Sequence, residues 1–224
     1  MIMSERLLAI GDSHGCYDSL LKLVHDVVRA GKDDKIILLG DYIDRGPDSK
    51  AVLDFIMKLL DEGYDVIPLR GNHEDMMIKA AMSPMDNYNW MRNGGFETLN
   101  SFGVTSVEEI ESRYMDFMSE LPFYHMEDSF IFVHGGFNDD IADPFEDTYS
   151  MIWERRYEYH SDVFRGKTIV HGHRPHALPE LEEQLGKSPS VINIDTGCVY
   201  GKEYGLGDLT AIELREMKLF SVSC

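Results

Sequence analysis

Three times within its first 80 residues the chain repeats one pattern: a short apolar run stops at glycine and polar residues, and a helical pattern follows. Leu7-Leu8-Ala9-Ile10 runs into Gly11-Asp12, Ile36-Ile37-Leu38-Leu39 into Gly40-Asp41, and Val66-Ile67-Pro68-Leu69 into Arg70-Gly71-Asn72. Runs this short and this uniformly apolar read as strands covered on both faces. The intervening helices carry their stripes at Leu20, Val24, Val27 and Val28, ahead of Gly31, and at Val52, Ile56, Leu59 and Leu60, with Phe55 alongside and Gly63 placed as a C-cap. Strand–helix alternation predicts βαβ units in the N-terminal half, hence a parallel sheet of the α/β class. In such sheets ligands gather beyond the carboxyl ends of the strands. Those ends carry Asp12, His14, Asp41, Asp44, Arg45, Asn72 and His73.

Later strands are expected at Phe130–Val133, ending at His134; at Thr168–Val170, ending at His171 and His173; and at Val191–Ile194, ending at Asp195. Leu209 to Val222 reads as a closing antiparallel pair. The segment from Ala81 to Leu121 reads as irregular helix with Trp90, Phe96, Leu99 and Phe102 as core anchors, and Met76, Met77, Met82, Met85 and Met91 as pliable packing. Acidic stretches at Glu108–Glu111 and Glu180–Glu183 read as solvated faces, and His160 and His176 as surface residues. No linker or low-complexity tract interrupts the chain, so residues 1–224 are expected to form a single domain.

Charge narrows the function classes. With 21 Lys and Arg against 40 Asp and Glu, the net charge is −19, which repels phosphate backbones and anionic lipid. Neither nucleic acid nor a membrane is expected as partner, while a small phosphate substrate in a cation-lined pocket stays compatible. No stretch approaches the roughly 18 apolar residues of a membrane span, and MIMSERLLAIGD lacks the apolar core of a leader. Cys16, Cys198 and Cys224 make no CxxC pair, so reduced thiols in the cytoplasm are expected.

Collected along the chain, the strand ends offer Asp12, His14, Asp41, Asn72, His134 and His173. Carboxylate, imidazole and amide oxygen without thiolate suit Mn²⁺, Fe²⁺, Zn²⁺ or Mg²⁺. Six ligands exceed what one open catalytic ion needs, but fit two ions about 3.5–4 Å apart that share a carboxylate.

GDSHG (Gly11–Gly15), GDYIDRG (Gly40–Gly46), RGNHE (Arg70–Glu74), VHGG (Val133–Gly136) and HGHRP (His171–Pro175) resemble the signature blocks of calcineurin-like metallophosphoesterases. Within these, the chain resembles the phosphoprotein phosphatase family. WMRNGGFETLNSFG, ELPFYHMEDSFIFVHGG and INIDTGCVYG are similar to the small bacterial and phage Ser/Thr protein phosphatases, whose relatives include symmetrical diadenosine tetraphosphatases. The resemblance implies a β-sandwich flanked by helices and two divalent ions, Mn²⁺ foremost. It makes Asp12 and His14 ligands of the first ion, Asp41 the bridge, and Asn72, His134 and His173 ligands of the second. A metal-bridging hydroxide then attacks phosphorus, Arg45, Arg70 and a third arginine, Arg155 ahead of Arg156, clamp the phosphate, and His73 protonates the leaving group with Asp44 as its partner. Where the wider superfamily has a further His ligand this chain has Pro175, which leaves His171 and Asp195 as supporting residues rather than ligands. Gly11, Gly40 and Gly71 are expected to permit sharp turns at the strand ends.

The reading is therefore a two-metal phosphoric monoester hydrolase of the Ser/Thr protein phosphatase type, acting on a phosphorylated protein or small phosphate ester. The alternative is a symmetrical bis(5'-nucleosyl)-tetraphosphatase, which would need a site for a nucleotide base. A nuclease fits the charge poorly, and a non-catalytic metal scaffold would not need His73.

Overall fold

The computed structural model describes residues 6–224; the N-terminal residues 1–5, on which part of the leader reading falls, lie outside the described residues. The three apolar runs are strands β1 (Leu7–Ile10), β2 (Lys35–Leu38) and β3 (Asp65–Pro68), paired in parallel. The closing pair, β8 (Asp208–Glu213) and β9 (Lys218–Ser223), joins them antiparallel, giving a five-stranded sheet in the order β3-β2-β1-β8-β9. A second sheet runs β4 (Tyr124–Glu127), β5 (Phe130–Val133), β6 (Thr168–His171) and β7 (Val191–Asn193), parallel except for β4.

Period-two alternation explains how these strands are apolar throughout. Leu7, Ala9, Ile37 and Leu39 face Phe132, Val170 and Ile192 of the other sheet and form the core between the two. Leu8, Ile10, Ile36 and Leu38 face the opposite way, onto Leu20, Val24 and the helix α2 (Ser49–Asp61) residues Val52, Ile56 and Leu59. The outer face of the second sheet buries Ile131, Val133 and Ile169 beneath Phe137, Met151 and Phe164. The architecture is two sheets flanked by helices, as expected.

Several local expectations are corrected. Helix α1 (Tyr17–Lys22) continues as a π-helical turn over Leu23–Val28 and ends at Arg29, whose φ of 52° supplies a left-handed cap two residues before Gly31. Leu60 lies at the edge of its stripe and is partly exposed, and Met82 and Met85 are exposed. Between α4 (Pro84–Trp90) and α5 (Phe96–Phe102) a kink at Gly94, φ 108°, turns Phe96 to solvent while Trp90 and Leu99 stay buried. Strand β4 went unread because YHME is a half-exposed edge strand with no apolar run. His176 is half buried rather than superficial. Helices α3 (Asn72–Ala80), α6 (Ser112–Glu120), α7 (Thr148–Trp153) and α8 (Leu178–Leu185) complete the order.

The thiol reading is also corrected. Cys198 and Cys224 form a disulfide with their Cα atoms 5.7 Å apart. The antiparallel return of β9 beside β8 brings the two together, and the Cys224 N–H donates to the Gly207 carbonyl at 2.9 Å. Among the described residues no helix is long and apolar enough to cross a membrane.

Candidate functional site

The carboxyl ends of β1, β2, β3, β5 and β6 converge, and the sequence-predicted residues come with them. Asp41 lies at the centre: its Oδ2 is 3.3 Å from His134 Nε2, 3.5 Å from His14 Nε2 and 4.0 Å from His73 Nε2. Two donor groups, His14–Asp41–His73 and Asp41–His134–His173, each fall within 4.8 Å and share Asp41. Asn72 Oδ1 is 2.9 Å from His134 Nε2, and His173 Nδ1 is 3.2 Å from it. Asp12 enters through Oδ2, which accepts the His173 N–H at 2.9 Å.

The imidazoles are oriented by backbone carbonyls. His134 Nδ1 lies 2.8 Å from the Leu39 carbonyl and His14 Nδ1 2.9 Å from that of Ile43, so each donates there and turns its Nε2 toward Asp41. Asp12 Oδ1 and His173 Nε2, also buried, have no hydrogen-bond partner at all. Buried polar atoms are seldom left so. A donor set of carboxylates, imidazoles and an amide oxygen gathered round one shared carboxylate, with two buried atoms left unpartnered, fits a pair of divalent cations.

The electrostatics agree. Burial works against charge on both groups, yet His134 and His73 hold the Asp41 carboxyl well below the usual range, while Asp41 and then Asp12 raise His134 to about 10. A field that draws a proton onto a fully buried imidazole is the field that stabilises a cation. Burial lowers His14 to about 3.

The backbone is bent to reach this arrangement. His14, Asp41, Asp44, Arg45 and His173 all have φ between 41° and 72°, a region non-glycine residues seldom occupy. Gly40, with φ 103°, does need its freedom. Gly11 and Gly71 are glycines for a different reason from the one expected: space. A Cβ on Gly71 would lie 2.2 Å from Asp41 Oδ1.

His73 and Asp44 form a separate pair. His73 Nδ1 is 2.7 Å from Asp44 Oδ2, with both side chains buried, and Asp44 also accepts from Thr98 Oγ1 at 2.6 Å and Trp90 Nε1 at 3.0 Å. Burial raises Asp44 and lowers His73 to about 4, and the short Nδ1–Oδ2 contact fixes the direction of the ring. Its other nitrogen faces Asp41.

Of the arginines, Arg45 points inward, with Nη1 2.8 Å from His14 Nε2. Arg70 is held at the edge: its guanidinium lies 4.6 Å from the Phe123 ring centre and bonds the Ser119 carbonyl. Arg156 is committed to Asp140 and Glu154, whereas the charge of Arg155 bears on His173. The buried His171 donates from Nδ1 toward the Gly172 carbonyl, and Asp195 closes a turn by accepting the Gly197 N–H.

One residue was missed. Glu74 is fully buried, and its carboxylate accepts from the N–H groups of Asp41, Tyr42 and Gly71 at 2.8–2.9 Å, tying the loop after β2 to the start of α3. The signal was present: a Glu at the third position of a helix commonly reaches back to the N-cap N–H.

Known proteins bear on this geometry. The family model for calcineurin-like phosphoesterases matches residues 5–194. The chain is 24% identical to the asymmetrical bis(5'-nucleosyl)-tetraphosphatase PrpE of Halalkalibacterium halodurans, over 95% of this chain and 92% of that one. It is 27% identical to Serine/threonine-protein phosphatase 1 of Salmonella typhimurium, over 88% of each. The tetraphosphatase relative is named asymmetrical, unlike the symmetrical class considered from sequence. Among solved structures, a yeast protein serine/threonine phosphatase superposes with a TM-score of 0.68 at 16% identity, covering 99% of this chain and 80% of its own. A cold-active protein-tyrosine phosphatase from Shewanella gives 0.65 at 18%, covering 98% and 78%. A motif series in order, donors gathered at the strand ends and a family model spanning most of the chain lead to one conclusion: the chain belongs to the calcineurin-like phosphoesterase family.

Proposed function

We propose that this protein is a two-metal phosphoric monoester hydrolase of the Ser/Thr protein phosphatase type. The observation that carries this reading is the buried His73–Asp44 pair beside the Asp41 cluster. A serine or threonine alkoxide is a poor leaving group and needs a proton, which His73, held by Asp44, would donate. Asp12 and His14 would hold one cation, Asn72, His134 and His173 the other, with Asp41 between them. Two cations bound there, Mn²⁺ before Fe, Zn or Mg, would supply Lewis acidity and activate a water. Arg45 offers a guanidinium fork to two phosphate oxygens, and Arg155 and Arg70 add positive charge at the rim.

A second reading, a dinucleoside polyphosphate hydrolase, has its own support. A cavity of about 350 Å³ beside α3 is lined by Tyr149 and Trp153, whose rings stack 6.3 Å apart, and by Asn89, Asn93 and Asp86. The Trp153 ring meets His173 edge-on at 5.9 Å, so a base stacked there could leave its phosphates at the cluster. One experiment separates the readings: kcat/KM of the Mn²⁺-loaded enzyme on a phosphoserine peptide, a phosphotyrosine peptide, p-nitrophenyl phosphate and diadenosine tetraphosphate. A preference for phosphoserine supports the first. A strong preference for the dinucleotide that Trp153→Ala removes supports the second.

A further inference from the structure

Away from the nitrogen and oxygen donors, three sulfurs meet. Cys16 stands two residues beyond His14, Cys198 follows β7 in the Asp195-Thr-Gly turn, and Cys224 follows β9; their Sγ atoms all lie within 4.8 Å of one another. Cys16 Sγ faces the His14 carbonyl at 3.7 Å. The three line a cavity of about 480 Å³ together with Arg45, Tyr200 and Asp18. The Arg45 guanidinium lies 5.8 Å from the Tyr200 ring centre and reaches His14 on its other side.

A disulfide uses two of these sulfurs and leaves the third beside it without a bond. In a reducing compartment disulfides of this kind are rare, and all three become thiols. Three thiols converging from three separate segments match the donor set of a soft or borderline cation. At a metal–sulfur distance of about 2.3 Å, tetrahedral geometry sets the sulfurs roughly 3.8 Å apart. Opening the disulfide lets Cys198 and Cys224 spread toward that separation, and a slight closure brings in Cys16. The fourth position opens on the cavity, and Arg45 offsets the charge left by three thiolates and one dication.

We propose that the reduced protein binds one thiophilic divalent cation, Zn²⁺ in class, through Cys16, Cys198 and Cys224, at a site separate from the Asp41 cluster. The steps balance. A dithiol reductant gives two electrons and two protons to the Cys198–Cys224 bond and becomes a disulfide itself. The cation then displaces three thiol protons to solvent. In the reverse direction a disulfide oxidant takes two electrons from Cys198 and Cys224 and two protons from solvent to become a dithiol, the S–S bond forms, the cation leaves, and Cys16 regains its proton from solvent. The site would tie the His14 loop to the β7 loop and the end of β9.

The test uses Cd²⁺ on the full chain. Thiolate coordination gives a near-ultraviolet sulfur-to-metal charge-transfer band that nitrogen and oxygen donors do not give, so occupancy of the Asp41 cluster leaves it unaffected. The reduced protein should develop this band to saturation at one equivalent, with no dependence on protein concentration. The oxidised protein should show none. Cys16→Ser and Cys224→Ser, each checked for retained fold by circular dichroism, should lower the intensity by a third or more and weaken Cd²⁺ binding at least tenfold. No band in the fully reduced protein overturns the proposal. So does a band that Cys16→Ser leaves unchanged, which reduces the site to two sulfurs, or one that grows with protein concentration, which places the sulfurs on different chains.

Discussion

Asp41 lies at the centre of the cluster and carries the sharpest expectations. Its Oδ2 is shared among three imidazoles, while Oδ1 accepts the His73 N–H at 3.0 Å. Asp41→Asn keeps the size and removes the charge that both cations would need. It should therefore lower bound metal, counted by elemental analysis, more than Asp12→Asn, and kcat by several orders of magnitude, with the fold retained. Two bound ions and normal turnover would place the bridge elsewhere. His73 is a different case, because Asp44 holds it and it is not among the proposed ligands of either cation. A general acid is typically worth about 10²–10⁴-fold when the leaving group needs a proton. His73→Asn should slow phosphoserine peptide hydrolysis by that order but p-nitrophenyl phosphate hydrolysis far less, with metal content unchanged. Equal loss on both substrates would make His73 a positioning residue. The sequence already displayed both residues, because a strand end in a parallel sheet is a place and the motif supplies the role. It did not show their charge states, which follow from burial and from neighbours brought from other segments.

At the scale of elements, the start of α3 does the aligning. Glu74 gathers the backbone N–H groups of Asp41, Tyr42, Ile43 and Gly71 from two loops, so the position of Asp41 depends on a carboxylate that meets it only at the backbone. Glu74→Gln keeps one acceptor and turns an NH₂ group toward buried donors, at a cost of about 1–3 kcal/mol. For a chain of this size each kcal/mol lowers Tm by about 2–4 °C. A calorimetric Tm drop in that range, with reduced metal affinity, is expected. Glu183→Gln, which removes only the exposed ion pair with Lys187, should leave both unchanged. If Glu74→Gln matched the wild type in both measures, the loop would be set by the glycines alone. Elements were legible where burial on both faces made an apolar run, as in β1, β2, β5 and β6. They were illegible where one face meets water, as in β4, or where geometry departs from a regular helix, as in the π-helical turn ending at Arg29 and the kink at Gly94. Glu74 and the Cys198–Cys224 pair share a further cause: each depends on segments whose contact only the finished topology defines.

For the whole molecule, the net charge of −19 sets a condition on every anionic substrate. Approach is opposed at long range by the overall field and favoured at short range by Arg45, Arg70 and Arg155. Screening separates the two, because the Debye length falls from about 30 Å at 0.01 M salt to about 3 Å at 1 M. Repulsion between a distant phosphate and the acidic surface fades first, while a guanidinium–phosphate contact in a half-buried cleft is screened much less. For a phosphopeptide flanked by acidic residues, kcat/KM should therefore rise as salt increases over the low range, with kcat unchanged, since only encounter is affected. A phosphopeptide flanked by Lys and Arg is attracted by the same surface, so its kcat/KM should fall over that range. Measuring both peptides at matched Mn²⁺ activity removes any effect of salt on the cofactor. If both peptides responded in the same direction, the net field would not govern encounter, and the local arginines would have to be taken as setting substrate charge preference by themselves.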